Sequence, residues 1–287
     1  MKHRIIFPLF LFLCFLAFSV LAQSSDHRSF QIGEIREIKS TITNKTYELI
    51  IKYPDSYQAD KEKHYPVVYF CDGYWDFPLL SAIYGNLLYD EKIEECFLVG
   101  FSYKGENLDY GPLRQIDYTP KTNNDMNGAG GADQFIEVVE KEFIPFMENN
   151  YRIDNSWRAL GGSSLGGLFT LYTMLVNPQL FNAYISISPA VLWDNNWLIN
   201  YEAEFQKKNK ELPVTLYMTG AEKEFPQTPQ FLASIVEFDK ILSKRNYNGF
   251  SYKFRMIDDA YHASTKAESY TRGLQHIFDP KLKKTGK

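Results

Sequence analysis

The chain opens on two cations and then turns almost wholly apolar. Lys2 and Arg4 precede an apolar run over residues 5–21, and Val20-Leu21-Ala22 offers small residues at the two positions a signal peptidase reads. The run is short for a membrane span. Residues 1–22 are therefore read as a cleaved signal peptide, and the mature chain 23–287 as one domain, periplasmic or secreted. Cys14 lies inside the run without the small residue before it that a lipoprotein signal needs. Beyond it, residues 34–40 and 46–53 alternate apolar and polar positions around a turn at 43–45, the pattern of an antiparallel hairpin. The runs 65–70 and 96–101 are short and almost wholly apolar, as strands buried on both faces are, and 158–161, 183–187, 214–218 and 252–257 also read as short strands. Helical periodicity marks 79–88, 132–147, 166–175, 230–244 and 268–278. The segment 103–131, rich in Gly, Asn, Asp and Tyr, reads as a long loop. A hairpin followed by strands alternating with helices predicts an α/β domain with a mainly parallel sheet.

Composition narrows the function. An aromatic share of 16% with 23% charged residues excludes a disordered chain. Losing Lys2 and Arg4 takes the formal net charge from −4 to −6. No basic block or stripe is present, so nucleic acid is not an expected partner. Metal-binding and nucleotide-binding patterns such as H-E-x-x-H, C-x-x-C and G-x-x-x-x-G-K-[ST] are also missing, and no cofactor is expected. Two cysteines remain after signal removal. Cys71 ends one strand and Cys96 begins the next, so in parallel neighbours they stand at opposite sheet ends, beyond disulfide reach.

Gly162-Ser163-Ser164-Leu165-Gly166 is G-x-S-x-G, entered by a strand and left by an apolar helix. A sharp strand-to-helix turn strains the central residue and requires small neighbours, and it exposes the Ser164 hydroxyl at a helix N-terminus. The next N–H, on Leu165, can stabilise an oxyanion. Such a serine needs a base. His3 leaves with the signal, His27 lies at the mature N-terminus, His64 precedes a strand, and His276 sits on the last helix beside Ile277 and Phe278. That leaves His262, just past the last strand, at the edge where open α/β sheets place their sites. An acid should follow the strand 214–218. Glu222 and Glu224 both qualify, and their spacing leaves the choice open. A second oxyanion donor should follow the strand 65–70, where Asp72-Gly73-Tyr74 offers the Tyr74 N–H, with Gly73 allowing close approach of substrate.

These motifs, taken with Tyr65-Pro66-Val67-Val68-Tyr69, Arg114, Asp117-Tyr118-Thr119-Pro120, Ser188-Pro189-Ala190-Val191-Leu192-Trp193-Asp194 and His262-Ala263-Ser264, resemble the putative-esterase family of α/β-hydrolases. That group includes siderophore (enterobactin-type), feruloyl and acetyl-xylan esterases, esterase D and the mycolyltransferases. The elbow continuing as Leu168-Phe169-Thr170-Leu171-Tyr172, with the Ser-Pro…Trp-Asp stretch, looks most like the siderophore branch. The resemblance implies an α/β-hydrolase fold with helices on both sheet faces, and acyl transfer through Ser164 and His262 with Leu165 and Tyr74 as oxyanion donors. It places the acid three residues after Gly220, at Lys223, between the two glutamates. Substrate would be shaped by the 103–131 segment and by Tyr74, Trp75, Trp193 and Tyr261. Arg114 would meet an anionic or phenolic group, or else pair with Asp117.

The leading expectation is a serine-dependent carboxylic-ester hydrolase acting on a small siderophore-type or related aryl or acyl ester. A feruloyl or acetyl polysaccharide esterase, a catalytically inactive binding module and an acyltransferase are the alternatives.

Overall fold

In the computed structural model, residues 31–121 and 128–280 are described. The expected signal peptide and His27 lie outside them. Eight strands form a single sheet in the order β1-β2-β4-β3-β5-β6-β7-β8. They are β1 (Glu34–Lys39), β2 (Thr46–Lys52), β3 (Tyr65–Phe70), β4 (Phe97–Tyr103), β5 (Ile153–Ser163), β6 (Ala183–Ile187), β7 (Thr215–Lys223) and β8 (Ser251–Tyr261). The first two form the expected hairpin, and β2 joins β4 antiparallel. All other pairings are parallel. Their burial explains the sequence pattern. Every residue of β3, β4 and β6 is buried, whereas β2 alternates. Cys71 and Cys96 are free and buried, beyond opposite ends of the β3–β4 register.

Helices cover both faces. On one, α1 (Gly73–Tyr89) and α8 (Lys266–Ile277) pack through Phe77, Leu80, Tyr84, Leu274 and Ile277. On the other lie α3 (Ala132–Val138), α4 (Ile144–Asn150), α5 (Leu165–Val176) and α7 (Pro229–Leu242). The aromatic richness is spent here. The Phe135 ring stands 5.3–5.8 Å from those of Tyr47, Phe101, Tyr118 and Phe169, binding α3 to the sheet and to α5. The expected helix 132–147 is continuous through a π turn, Val139–Phe143, just ahead of Pro145, which cannot donate to a regular ladder.

Three expectations need correction. The segment 103–131 holds a helix, α2 (Tyr110–Tyr118), capped by Asp109 accepting from the Gly111 N–H at 3.1 Å. A further helix, α6 (Trp193–Lys208), escapes notice because Asp194, Asn195 and Asn196 are all left-handed and interrupt its first turn. And α1 starts at Gly73 rather than at 79, the Asp-Gly turn signal and the internal Pro78 having masked its first turn. Among the described residues, no helix is long and apolar enough to cross a membrane.

Strand order reverses at β3. The chain steps from β3 to β4 on one side and later to β5 on the other, so the carboxyl ends of β3 and β5 are neighbours at a switch point. The turns leaving these strands are therefore neighbours at one edge of the sheet. This is the arrangement of an α/β-hydrolase.

Candidate active site

Ser164 joins β5 to α5 with φ 61° and ψ −119°, a conformation that costs a non-glycine residue about 1–3 kcal/mol. Three backbone bonds hold it there. Its N–H donates to the Ile187 carbonyl at 2.9 Å, and its own carbonyl accepts from Leu168 at 2.9 Å and Ala190 at 3.0 Å. The flanking glycines are steric necessities. A Cβ on Gly162 would stand 2.4 Å from the Gly166 carbonyl oxygen, and one on Gly166 would stand 2.8 Å from the Cys71 Cβ. The G-x-S-x-G spacing thus follows from how tightly the elbow folds on itself and on β3.

His262 leaves the end of β8. Its Nδ1 lies 2.6 Å from Glu224 Oε2, and its ring packs against Phe225, at 4.2 Å, and Phe231, edge-on at 5.2 Å, which also touch each other. With Nδ1–H donated to the carboxylate, Nε2 is left as the acceptor, the tautomer a general base requires. Glu224 is itself fixed: it is 3% exposed, and its Oε1 accepts from the Ala221 N–H at 3.0 Å. Glu222 takes another course. Ala221 pairs with Ile257 but Lys223 with Tyr261, so β8 bulges between them, with Asp259 left-handed at φ 55°. The exposed Glu222 accepts from the Asp259 N–H at 2.8 Å and caps that bulge, and Lys223 pairs with the Asp259 carboxylate. The structure therefore brings Glu224, and not Glu222, to the histidine.

Leu165 is the first residue of α5 and Tyr74 the second of α1. N–H groups in a first helical turn have no acceptor within the helix, and the adjacency of β3 and β5 brings both helix starts to one edge of the sheet. Gly73 also has a packing reason. A Cβ there would meet the Gly100 backbone at 2.6 Å, so the glycine lets α1 lie against β4.

The expected pairing of Arg114 with Asp117 is corrected. The partner of Arg114 is not Asp117, which is held by Lys45 at 2.6 Å and the Tyr47 hydroxyl at 3.1 Å. Instead its Nε and Nη2 donate to the two carboxylate oxygens of Asp72 at 2.8 and 2.6 Å. Asp117 points from α2 toward the hairpin, while Arg114 points toward the β3–α1 turn. Trp75 is 59% exposed and lies under the Lys266 ammonium, 4.2 Å away. Trp193 is half-buried, and Tyr261 is exposed on a cleft of about 330 Å3 that Glu224, Phe225 and Leu232 also line. Of the other histidines, His64 is exposed and His276 packs on Tyr217.

Sequence reasoning passed over Phe225 and Phe231, which pack against the imidazole, and over the ion pairing of Asp72, Asp76 and Lys266, which are buried around the start of α1. The only sequence signal for the latter was a spacing of four between the two aspartates.

The profile of a family described as "Putative esterase" matches residues 40–270. The chain is similar to the ferri-bacillibactin esterase BesA of Bacillus subtilis, 25% identical over 263 residues that cover 86% of this chain and 90% of that protein. Among solved structures it shares its fold with the BES protein from Bacillus cereus, at TM-score 0.77 and 24% identity over 88% of this chain and 98% of the other. The siderophore hydrolase EstB from Aspergillus nidulans also matches at TM-score 0.77, with 19% identity over 88% and 96% of the two chains.

Proposed function

Because the chain belongs to the putative esterase family, we propose that it hydrolyses carboxylic esters of the siderophore type through a serine acyl-enzyme. The observation that carries the reading is the 2.6 Å contact between His262 Nδ1 and a buried Glu224, at the same sheet edge as a serine held in a strained elbow. The similarity to the ferri-bacillibactin esterase supports the substrate class.

In this reading Ser164 Oγ attacks the ester carbonyl carbon while His262 Nε2 takes its proton. The N–H groups of Leu165 and Tyr74 stabilise the tetrahedral oxyanion. Collapse breaks the bond to the leaving alcohol, to which His262 returns the proton. Water then attacks the acyl-enzyme, His262 again serving as base, and the acid product leaves with Ser164 restored. Glu224 stays ionised and holds the imidazole. Trp75, Trp193 and Tyr261 offer aromatic faces for an aryl substrate. Residues 1–22 act as an export signal, so that hydrolysis takes place in the periplasm or outside the cell.

The test compares kcat/KM of the mature protein on a catecholate trilactone, free and iron-loaded, with that on feruloylated and acetylated xylan oligosaccharides. We expect the trilactone to be preferred by at least tenfold. A preference for the oligosaccharides would overturn the substrate assignment.

A further inference from the structure

Two buried carboxylates bracket Tyr74. Asp72 caps α1 in the left-handed region, at φ 56° and ψ 42°, and Asp76 lies one turn on. They are 2% and 1% exposed. Each is gripped by a cation and a tyrosine set four residues apart on another helix. From α2, Arg114 binds both oxygens of Asp72, while the Tyr118 hydroxyl accepts from the Asp72 N–H at 3.2 Å. From α8, the Lys266 ammonium and the Tyr270 hydroxyl donate to Asp76 at 2.7 and 2.9 Å. Between these grips the Tyr74 ring stacks on Tyr110 of α2, centroids 3.5 Å apart at 11°.

We propose that Arg114 with Tyr118, and Lys266 with Tyr270, are positioning residues that hold the 72–76 turn in the geometry that aims the Tyr74 N–H at the reacting carbonyl. The proposal rests on the serine-esterase reading above. Its physical basis is twofold. Left-handed Asp72 is strained and persists only where its surroundings over-determine it. Here the side chain and the N–H are both held from α2. Charge is the second consideration. Two bare carboxylates beside an oxyanion site would oppose the developing negative charge. Each is neutralised by its own cation, so the positive end of α1 still favours the anion. Because burial opposes ionisation of the Asp76 carboxyl, Lys266 must supply the compensation. The α8 pair does more than hold the turn. Lys266 follows His262 by four residues, and the Thr265 N–H donates to the Tyr261 carbonyl at 3.0 Å, so the turn that carries the base runs directly into the helix that grips the oxyanion turn. One helix therefore sets the distance between base and oxyanion donor.

The test uses the mature protein and its Lys266→Met, Arg114→Met and Lys266→Arg variants. Active sites are counted by fluorophosphonate labelling, so that misfolded protein drops out of kcat. Substrate is p-nitrophenyl butyrate. The inhibitor is an alkyl trifluoromethyl ketone, whose hemiketal oxygen occupies the oxyanion position. Removing one oxyanion donor outright costs about 10²–10³ in kcat. Displacing one should therefore lower kcat per labelled site by roughly 10–100-fold, leave KM within about twofold, and weaken the ketone by the same factor as kcat. Lys266→Arg should recover part of both. Unchanged kcat per labelled site, or a loss of kcat without a matching loss of ketone affinity, would overturn the proposal. If the Met variants label no sites, Tyr118→Phe and Tyr270→Phe carry the test. Each deletes one hydroxyl and should lower kcat and ketone affinity together by several-fold, and no change in either overturns the proposal. A wild-type protein that neither labels nor turns over contradicts the esterase reading itself. A wild-type protein that does both, beside indifferent variants, contradicts only the positioning role.

Discussion

Glu224 divides its carboxylate between two tasks. One oxygen is anchored by the Ala221 N–H and the other meets His262 Nδ1. The anchor fixes the angle from which the acid meets the imidazole. Glu224→Gln should therefore lower kcat by about 10²–10⁴-fold, as loss of a triad acid does elsewhere. Glu222→Gln should leave kcat within about threefold, because that side chain caps the Asp259 N–H. Steady-state kinetics on p-nitrophenyl butyrate separate the two, and equal losses in both variants would refute the assignment. The sequence could not make this choice. Both glutamates follow the apolar run 214–218, and what parts them is a bulge in β8, produced by pairing between β7 and β8 with no local signal of its own. Arg114 was hidden for a related reason. Asp117 is three residues away along the same helix, whereas Asp72 becomes a partner only when α2 folds over the end of β3.

At the scale of elements, the elbow was the most legible feature because its constraint is local. Gly162, Ser164 and Gly166 must share a space too small for side chains on the glycines. Gly162→Ala puts a methyl 2.4 Å from the Gly166 oxygen, and should destabilise by about 2–4 kcal/mol, read as a lowered urea midpoint at unchanged m-value. The inner strands β3, β4 and β6 were legible as apolar runs buried on both faces, whereas the edge strand β8 is only partly buried. By contrast, α2 is only nine residues long and weakly apolar overall, inside a segment rich in Gly, Asn and Asp, and α6 begins through three left-handed residues, so neither stands out from its surroundings. Helix α8 adds a pH dependence. Burial against Tyr217 and the nearby charge of Lys253 push the His276 imidazole below its ordinary 6.5. The folded state then binds fewer protons than the unfolded state, so stability is lost as pH falls through and below 6.5. Between pH 7 and 5 the urea midpoint of the wild type should fall further than that of His276→Gln. Parallel curves would remove His276 from the account.

For the whole molecule, the switch in strand order at β3 decides where chemistry can occur. It sets the turns after β3 and β5 side by side, while β7 and β8 deliver Glu224 and His262 to the same edge of the sheet. Four separate chain segments thus converge without any long-range sequence signature beyond their order. The same scale includes the export reading: protein recovered from the periplasm or medium should begin at Gln23, and an N-terminal mass that retains residues 1–22 would contradict it. The central claim is a serine nucleophile at the elbow. Its most direct test is intact-mass and peptide-mapping analysis after treatment with a fluorophosphonate. The account requires one adduct per folded chain, located on Ser164, with esterase activity lost in step and no adduct on Ser164→Ala. Folded wild-type protein that takes up no label, or a Ser164→Ala variant that labels and turns over as the wild type does, would contradict it.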